Sequence, residues 1–308
     1  MQEFTVALES PFNLDFTLAS GQAFRWERRG EWWYGVVSGG VLKVRQEGES
    51  LRCASGADSI DSQFVRGYFR LDDDIEAILD SIMKDEVMAQ AVQRFYGLRL
   101  LKQEPWECLA SFALATNSNI PRIVKMVSAV STAFGERVVF EGDEFRSFPK
   151  AEAIADASLE ALRSCGLGYR TPFLRHIAAS VADGKVDLTE LRLQDYDSAR
   201  GILLKEALGE KALLGVGPKV ADCVLLYSCG KNEAFPIDVW VARALADQYA
   251  RLFPKELRAK LGSKSKARLG RRDYDEVSKV VREHYGRYAG YAQLYLYMSA
   301  RSLKQALP

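Results

Sequence analysis

The feature that most limits how this chain can fold is a change in its hydrophobic period near residue 58. Residues 1–55 hold the segments WWYGVV and VLKVRQ on either side of the turn signal Gly39-Gly40, and VLKVRQ alternates apolar with polar side chains as a half-buried strand does. Beyond residue 58, apolar residues recur at i, i+3, i+4 and i+7, the period of an amphipathic helix. A small antiparallel sheet followed by a mainly helical body is therefore expected. The helical period is seen at Ile75, Ile78, Leu79 and Ile82, at Ile123, Met126, Val127 and Val130, at Val220, Val224 and Tyr227, and at Tyr291, Leu294, Tyr295 and Met298.

The predicted fold class is α+β, in a chain whose size and composition are those of an ordinary globular protein. Its 308 residues allow one large domain or two of common size, and 48% of them are hydrophobic against 27% charged. We expect residues 1–98 to form the sheet together with the first helices. Residues 99–308 are expected to form the helical region, with a hairpin at 211–223.

The cysteines and histidines argue against several kinds of metal site. The cysteines are an odd number, widely scattered, with no C-x-x-C pair, which disfavours a disulfide framework, a structural zinc site and a four-cysteine iron–sulfur cluster. With only His176 and His284, far apart in sequence, a histidine-rich catalytic metal centre is also disfavoured. Neither a catalytic metal nor a cofactor is expected. The cysteines are Cys53, Cys108, Cys165, Cys223 and Cys229.

The N-terminus and the charge distribution bear on location and partners. The segment MQEFTVALESPF has an early acidic residue and no long apolar run, so neither a signal peptide nor a membrane span is predicted, and an intracellular location is expected. The net charge is +1, but residues 254–272 hold a run of lysines and arginines. We predict a loop there, either simply solvated or facing a phosphate.

The segment LLGVGPKVADC, residues 213–223, is typical of two helices joined by a tight glycine turn. Gly215 and Gly217 tolerate a positive φ and close approach of a phosphate, and Pro218 suits the first position of a new helix. The start of the second helix exposes backbone N–H groups, which form a ready anion site. The segment is neither a Walker A loop nor a dinucleotide-binding fingerprint, because GxxxxGK[ST] and the third glycine are both missing.

Two side chains beside this turn are candidates for catalysis. Lys219 lies in the first helical turn, where the macrodipole and partial burial both disfavour its ammonium form, and a neutral amine is a nucleophile. Cys223, at i+4, shares its helix face. In AFPIDVWVARAL, Asp238 takes the N-cap position of another helix and could face the first helix start. A surface lysine and a purely capping aspartate remain open alternatives.

These residues resemble a known family, the helix–hairpin–helix, Gly/Pro–Asp DNA glycosylases, and within it the 8-oxoguanine DNA glycosylase/AP lyases. The resemblance covers nearly the whole chain in the same order. A cysteine cluster after residue 229, typical of the iron–sulfur members of the superfamily, is missing. The matching segments are LLGVGPKVADC followed by PIDV, SGQAFRW (20–26), ECLASFALATNSNIPR (107–122), GLGYR (166–170) and YAGYAQLYLY (288–297).

The resemblance implies a bifunctional base-excision enzyme acting on double-stranded DNA that contains 8-oxoguanine opposite cytosine. The damaged base would be flipped out of the stack, and Lys219 would attack the sugar C1′ to displace it. The strand would then be nicked by β-elimination through a Schiff base, with Asp238 stabilising developing positive charge. A structural cation could be held against a phosphate by the backbone carbonyls of Lys211, Leu213 and Val216.

The resemblance also implies which residues would hold the base. The backbone carbonyl of Gly21 would accept the proton that only the oxidised base carries at N7. Cys223 and Tyr297 would face the two sides of the base, Gln293 would read its pairing edge, and Pro236 would also line the pocket. Ordinary helix packing would explain Gln293 and Tyr297 equally well without the resemblance.

A second group of residues would contact the DNA around the lesion. Asn117 would fill the space that the base leaves, Arg122 and Arg170 would contact the unpaired cytosine, and Tyr169 would be wedged beside it. The two glycines of the hairpin would lie against the DNA backbone.

The sequence departs from the family pattern at five positions. Trp240 stands where histidine is frequent, Ser118 interrupts an asparagine run, and Pro121 replaces a small residue. Tyr297 stands where phenylalanine is familiar, and Ala300 replaces an acidic residue. These changes suggest an altered lesion pocket or a looser choice of the opposite base.

Two other functions stay open from sequence. An alkylated-base DNA glycosylase would share the hairpin but normally lacks the catalytic lysine. A non-catalytic helix–hairpin–helix DNA-binding protein would use the hairpin for phosphate alone. A monomer is expected in each case.

Overall fold

The computed structural model describes residues 1–204, 213–261 and 269–305, with side chains described to residue 302. Within these ranges a five-stranded sheet comes first and helices dominate the rest. The strands are β1 (Gln2–Ala7), β2 (Trp26–Arg29), β3 (Trp32–Val37), β4 (Gly40–Glu47), β5 (Ser50–Ser55), β6 (Arg137–Phe140) and β7 (Asp143–Arg146).

The helices begin between the first two strands and continue to the end of the described chain. Short 3₁₀ turns occur at Gly168–Arg170, Ala250–Leu252 and Gly286–Tyr288. The α-helices are α1 (Leu14–Ala19), α2 (Ser62–Tyr68), α3 (Ile75–Ile82), α4 (Glu86–Arg94), α5 (Pro105–Leu114), α6 (Ile120–Phe134), α7 (Ala151–Ala155), α8 (Leu159–Ser164), α9 (Thr171–Ala182), α10 (Glu190–Leu193), α11 (Tyr196–Leu204), α12 (Pro218–Tyr227), α13 (Val239–Gln248), α14 (Lys255–Leu261), α15 (Arg271–Tyr285) and α16 (Ala289–Gln305).

The N-terminal sheet is antiparallel throughout, in the order β1-β5-β4-β3-β2. Strands β2 to β5 form a meander, and β1 pairs with β5 so that Gln2 lies opposite Ser55. Leu42 and Val44 are fully buried in β4, whereas Lys43 between them is only partly buried. The alternation predicted for this strand is confirmed, as is the α+β class.

A second, two-stranded hairpin covers the outer face of the sheet and was not expected from the sequence. Phe140 of β6 packs in one cluster with Val36 and Val41, and Lys43 pairs with Glu141 at 2.7 Å. Glu141 and Gly142 have φ of 53° and 85°, the two positive values of a tight hairpin turn. The strands are only four residues long, too short for a visible period.

The helical body encloses one large apolar core. Helices α5 and α12 pack against each other, and α16 packs against α3, α4 and α13. The apolar positions that predicted α3 and α6 are buried in them, which confirms the helical period. Within the described ranges, no helix is both long and apolar enough to cross a membrane.

The loop predicted over residues 254–272 was wrong for its two ends. Residues Lys255–Leu261 form α14, and α15 begins at Arg271, while residues 262–268 lie outside the described part. Leu257 and Leu261 are buried and four residues apart, so they form one apolar face. The density of positive charge in the sequence hid this period.

Candidate active site

The glycine hairpin leads directly into α12. Gly215 has a φ of +90°, and a Cβ there would lie 2.8 Å from the Cβ of Phe173, so glycine is required by conformation and by space. Gly217 is the N-cap of α12 in an extended conformation that any residue can adopt, and open space surrounds its missing Cβ. The absence of a side chain therefore leaves room beside the first helical turn. Pro218 begins the helix, as predicted.

Two of the three residues predicted to hold a structural cation, Leu213 and Val216, lie within the described part of the chain. The Leu213 carbonyl accepts a hydrogen bond from the Val216 amide at 3.0 Å. Lys211, the third predicted ligand, lies outside the described residues, together with the start of the predicted 211–223 hairpin.

Lys219 lies on the first turn of α12 and is half-buried. Its Nζ is 4.7 Å from the centre of the Phe112 ring, and its charge acts on the thiol of Cys223, one turn further along. Burial raises the pKa of Cys223 to about 11, although the charge of Lys219 opposes the rise. Cys223 is thus a neutral thiol at neutral pH, and the lysine side chain lies against the protein.

Asp238 is the N-cap of α13, as predicted. Its Oδ1 accepts hydrogen bonds from the backbone amides of Trp240 at 2.9 Å and Val241 at 2.8 Å. Burial raises the pKa of the carboxyl group, and the Val241 amide and the charge of Lys219 oppose the rise. The start of α12, which carries Lys219, is therefore close enough to the start of α13 for the lysine charge to act on this carboxylate.

The residues predicted to hold the base come together around this pair. Gly21 has a φ of +83°, and a Cβ there would lie 3.5 Å from the hydroxyl of Tyr297. Burial raises the pKa of Tyr297 to about 12, and the negative charge of Asp238 acts in the same direction. Gln293 is 3% exposed, and its Oε1 accepts a hydrogen bond from Tyr227 at 3.3 Å. Pro236 is buried two residues before Asp238.

Four of the residues predicted to contact DNA lie on or beside the loop between α5 and α6. Asn117 is exposed with a φ of +51°, a conformation that asparagine tolerates better than most residues. Arg170 is 1% exposed and donates hydrogen bonds to the carbonyls of Thr116 and Asn117, the latter at 3.1 Å. Tyr169 is 50% exposed, and its hydroxyl donates to the Thr116 carbonyl. Arg122 is exposed on the first turn of α6. In this structure Arg170 therefore supports the loop that presents Asn117.

The other positions at which the sequence departs from the family pattern lie just before α6, on α6, on α13 and on α16. Trp240 is half-buried on the first turn of α13, with Arg243 over its ring at 5.6 Å. The hydroxyl of Ser118 is buried beneath the Asn117 loop, whereas Pro121 is exposed on α6. Ala300 is partly buried on α16, one turn beyond Tyr297.

A buried carboxylate network behind the site was not identified from the sequence. Asp222 is fully buried on α12 and accepts hydrogen bonds from the hydroxyl of Tyr196 at 2.7 Å and from Arg200 at 3.0 Å. The Tyr274 hydroxyl donates to its other oxygen at 2.7 Å and accepts from the backbone amide of Ile237 at 3.1 Å. The network joins α12 to the residue before Asp238. An acidic residue inside the apolar run KVADCVLL was the available signal.

The chain is similar along its length to known DNA repair proteins. Residues 5–109 match the family described as 8-oxoguanine DNA glycosylase, N-terminal domain, and residues 110–264 match the HhH-GPD superfamily base excision DNA repair proteins. A probable N-glycosylase/DNA lyase of Methanothermobacter thermautotrophicus is 31% identical, over 94% of this chain and 94% of its own.

Solved structures show the same relationship. A structure of MBOgg1 with a low-affinity DNA ligand superposes with a TM-score of 0.86 and 30% identity, over 99% of this chain and 97% of that one. The 8-oxoguanine glycosylase/lyase of Clostridium acetobutylicum, bound to DNA with cytosine opposite 8-oxoguanine, gives 0.82 and 25%, over 98% of both chains. The chain therefore belongs to the HhH-GPD superfamily of base excision DNA repair proteins and, within it, to the 8-oxoguanine DNA glycosylase family of N-glycosylase/DNA lyases.

Proposed function

We propose that this protein removes 8-oxoguanine from double-stranded DNA and then nicks the strand at the resulting site. The observation that carries the proposal is the position of Lys219, half-buried at the start of α12 and electrostatically coupled to the Asp238 carboxylate. A lysine amine and a carboxylate that interact electrostatically at the starts of two helices suit nucleophilic displacement at a sugar carbon.

In the proposed reaction, the uncharged amine of Lys219 attacks C1′ of the flipped nucleoside. Its lone pair forms the new C–N bond while the bond between C1′ and the base breaks, and a proton lost from the amine goes to the departing base. The C1′–O4′ bond of the sugar ring then breaks, O4′ takes the remaining proton of the nitrogen, and a C=N double bond, the Schiff base, is left between Lys219 and C1′. Loss of a proton from C2′ then forms a C2′=C3′ double bond and breaks the C3′–O bond. The part of the strand on the 3′ side of the lesion is released.

Asp238 would stabilise the positive charge that develops on the sugar as the base departs. Both capping hydrogen bonds are accepted by Oδ1, so the second oxygen can face the sugar while the helix stays capped. The carboxylate would thus act electrostatically and need not form a bond.

Recognition of the lesion would depend on Gly21. Its carbonyl would accept the N7 proton that guanine lacks, with the base between Cys223 and Tyr297 and its pairing edge against Gln293. One hydrogen bond that the wrong base leaves unmade is worth about 1–3 kcal/mol, or roughly 5-fold to 150-fold in selectivity.

On the opposite strand, Asn117 would occupy the space left by the base, with Tyr169 and Arg122 at the unpaired cytosine. The exposed positions of these three side chains fit that role. Arg170 would contribute through the loop it supports as well as through any contact with cytosine.

Borohydride trapping tests the proposal. Wild-type protein incubated with an 8-oxoguanine duplex should give a covalent complex, because the reductant converts the Schiff base to a stable amine. Lys219→Gln should abolish the complex and the nick while retaining duplex binding. Lys231→Gln is the matched control, because Lys231 lies beyond the far end of α12 and bonds to the Arg192 carbonyl. A complex that persists in Lys219→Gln would remove Lys219 from this role.

A panel of substrates separates the alternatives. Release of alkylated bases in place of 8-oxoguanine would indicate an alkylated-base glycosylase, and binding without release of any base would indicate a non-catalytic DNA-binding protein. Comparison of the four opposite bases would measure how strictly cytosine is required.

A further inference from the structure

The turn that carries Gly21 is held by the next residue, Gln22, whose side chain is almost completely buried. Gln22 is 1% exposed; its Nε2 donates to the Arg99 carbonyl at 2.8 Å, and its Oε1 accepts from the Leu101 amide at 2.9 Å. Both ends of the amide are therefore bonded to the extended segment before α5. Gln22 cannot rotate without leaving buried polar groups unpaired.

Gln103 connects this turn to the catalytic helix. Its Nε2 donates to the backbone carbonyl of Gln22 at 2.8 Å, and its own backbone amide donates to the carbonyl of Tyr227 at 2.7 Å. Tyr227 is the last residue of α12, the helix that begins with Pro218-Lys219. A single residue thus spans the gap between the Gly21 turn and the helix of the proposed nucleophile.

The same series of contacts continues to α16, which would form the remaining wall of the proposed base pocket. The Tyr227 hydroxyl donates to Gln293 on α16 at 3.3 Å, and one turn further along α16 the Tyr297 hydroxyl lies against Gly21. These contacts therefore form a closed ring that links the Gly21 turn, α12 and α16. Because the residues that make these contacts are buried or partly buried, the contacts restrict how far the Gly21 turn can move relative to α12 and α16.

We infer that Gln103 is a positioning residue for lesion recognition, which holds the Gly21 carbonyl at the distance from Lys219 and Cys223 that accommodates an oxidised guanine. The inference rests on the proposed function and adds to it a residue that touches neither base nor sugar. Gln103 belongs to the short segment LLKQEP, outside all of the segments that carried the family resemblance.

The two steps of the reaction should respond differently to the loss of this bond. Excision needs the Gly21 carbonyl within hydrogen-bonding distance of N7, so a small shift of the turn weakens it. Nicking at an abasic site involves no base and needs only Lys219 and the sugar. A general loss of folding would lower both steps together, whereas a positioning defect lowers excision alone.

The experiment compares single-turnover excision of 8-oxoguanine with nicking of a preformed abasic site in the same duplex. Gln103→Met removes the Nε2 donor, keeps the side-chain length and leaves the backbone bond to Tyr227 in place. Gln2→Met is the matched control, because Gln2 also donates its amide to backbone carbonyls, those of Ala57 and Ile60, at the edge of the sheet. Melting temperatures are measured for all variants.

We expect Gln103→Met to lower the excision rate about 10-fold to about 100-fold and the preference for 8-oxoguanine over guanine with it, while abasic-site nicking changes by less than about 2-fold. Gln2→Met should leave the ratio of the two rates unchanged. If Gln103→Met fails to fold, Gln103→Glu replaces it, since its carboxylate has the same shape and no donor for the Gln22 carbonyl.

Equal loss in both steps, or no loss in either, would overturn the inference. A wild-type protein that nicks abasic sites without distinguishing 8-oxoguanine from guanine would instead overturn the proposed function, and the inference with it. The wild-type arm therefore separates the two failures.

Discussion

Asp238 caps a helix and, in the proposed reaction, also takes part in the chemistry. Its Oδ1 caps α13, and its charge is coupled to Lys219 across the pocket. Asparagine caps a helix about as well as aspartate, and its amide oxygen can take the place of Oδ1. The replacement therefore removes the charge and retains the cap.

We expect Asp238→Asn to bind an 8-oxoguanine duplex about as tightly as wild type and to excise the base at least about 100-fold more slowly, because the electrostatic stabilisation is lost. Stability should fall by less than about 1 kcal/mol. Binding by fluorescence anisotropy and single-turnover excision measure the two effects. A collapse of affinity alongside turnover would show that capping is its main role.

The pH dependence of excision provides a second test at the residue scale. Burial raises the pKa of Asp238 above the ordinary value of 3.8, so its carboxylate takes up a proton at a higher pH than an exposed aspartate does. Since the ionised form is the one proposed to act, excision should fall on the acid side at a pH above that ordinary value. The single-turnover rate measured against pH gives this limb, and Asp238→Asn should lack it.

At the scale of elements, the proposed active site depends on how α12, α15 and the segment before α13 are joined. The Tyr274 hydroxyl makes that junction, since it bonds both Asp222 and the Ile237 amide, and all three groups are buried. Tyr274→Phe leaves a buried carboxylate oxygen and a buried amide each without this partner. A loss of about 1–3 kcal/mol in unfolding free energy is expected.

Urea denaturation measures this loss, with Tyr96→Phe as the control. The side chain of Tyr96 is half-exposed. Removal of its hydroxyl should therefore change the free energy of unfolding by no more than about 0.5 kcal/mol. Equal stability of Tyr274→Phe and wild type would show that the network does not hold the elements together.

At the scale of the whole molecule, a buried arginine ties the loop after β1 to the loop between α2 and α3. Arg99 is completely buried, and its guanidinium donates to the carbonyls of Pro11, Arg70 and Asp73 and to the Ser10 hydroxyl. Arg99 adjoins the predicted domain boundary at residues 98 and 99, which stays a prediction. Helices on both sides of that boundary, α3 and α16 among them, share one apolar core.

Arg99→Met should destabilise the whole protein by about 2–4 kcal/mol, because four acceptors lose their donor while the cost of burying a charge is removed. Burial lowers the pKa of Arg99, in keeping with that cost. Chemical denaturation measures the effect. Arg52→Met is the control, since Arg52 forms an exposed pair with Glu3 at 3.4 Å and should change stability by less than about 1 kcal/mol. If wild-type protein unfolds in a single transition and Arg99→Met does not, Arg99 is the residue that couples the two parts of the chain in unfolding.

The sequence alone determined those features that depend on residues close together along the chain. The alternation in β4, the helical period of α3 and α6, the proline start of α12 and the Asp238 cap each depend on residues a few positions apart, and each is confirmed. The hairpin β6–β7 was not predicted because its strands are too short to show a period. Helix α14 was not predicted because the many positive charges of its segment hid the helical period.

Only the tertiary structure decided which distant residues meet. It brought Gly21 to Tyr297, turned Arg170 inward beneath Asn117, and joined Gln22 to Tyr227 through Gln103. None of these contacts has a period along the chain, because they arise where helices from different parts of the sequence pack around one core. The surroundings of the proposed nucleophile, Lys219, could thus be predicted from its own helix, whereas the residues of the proposed base pocket come together only after folding.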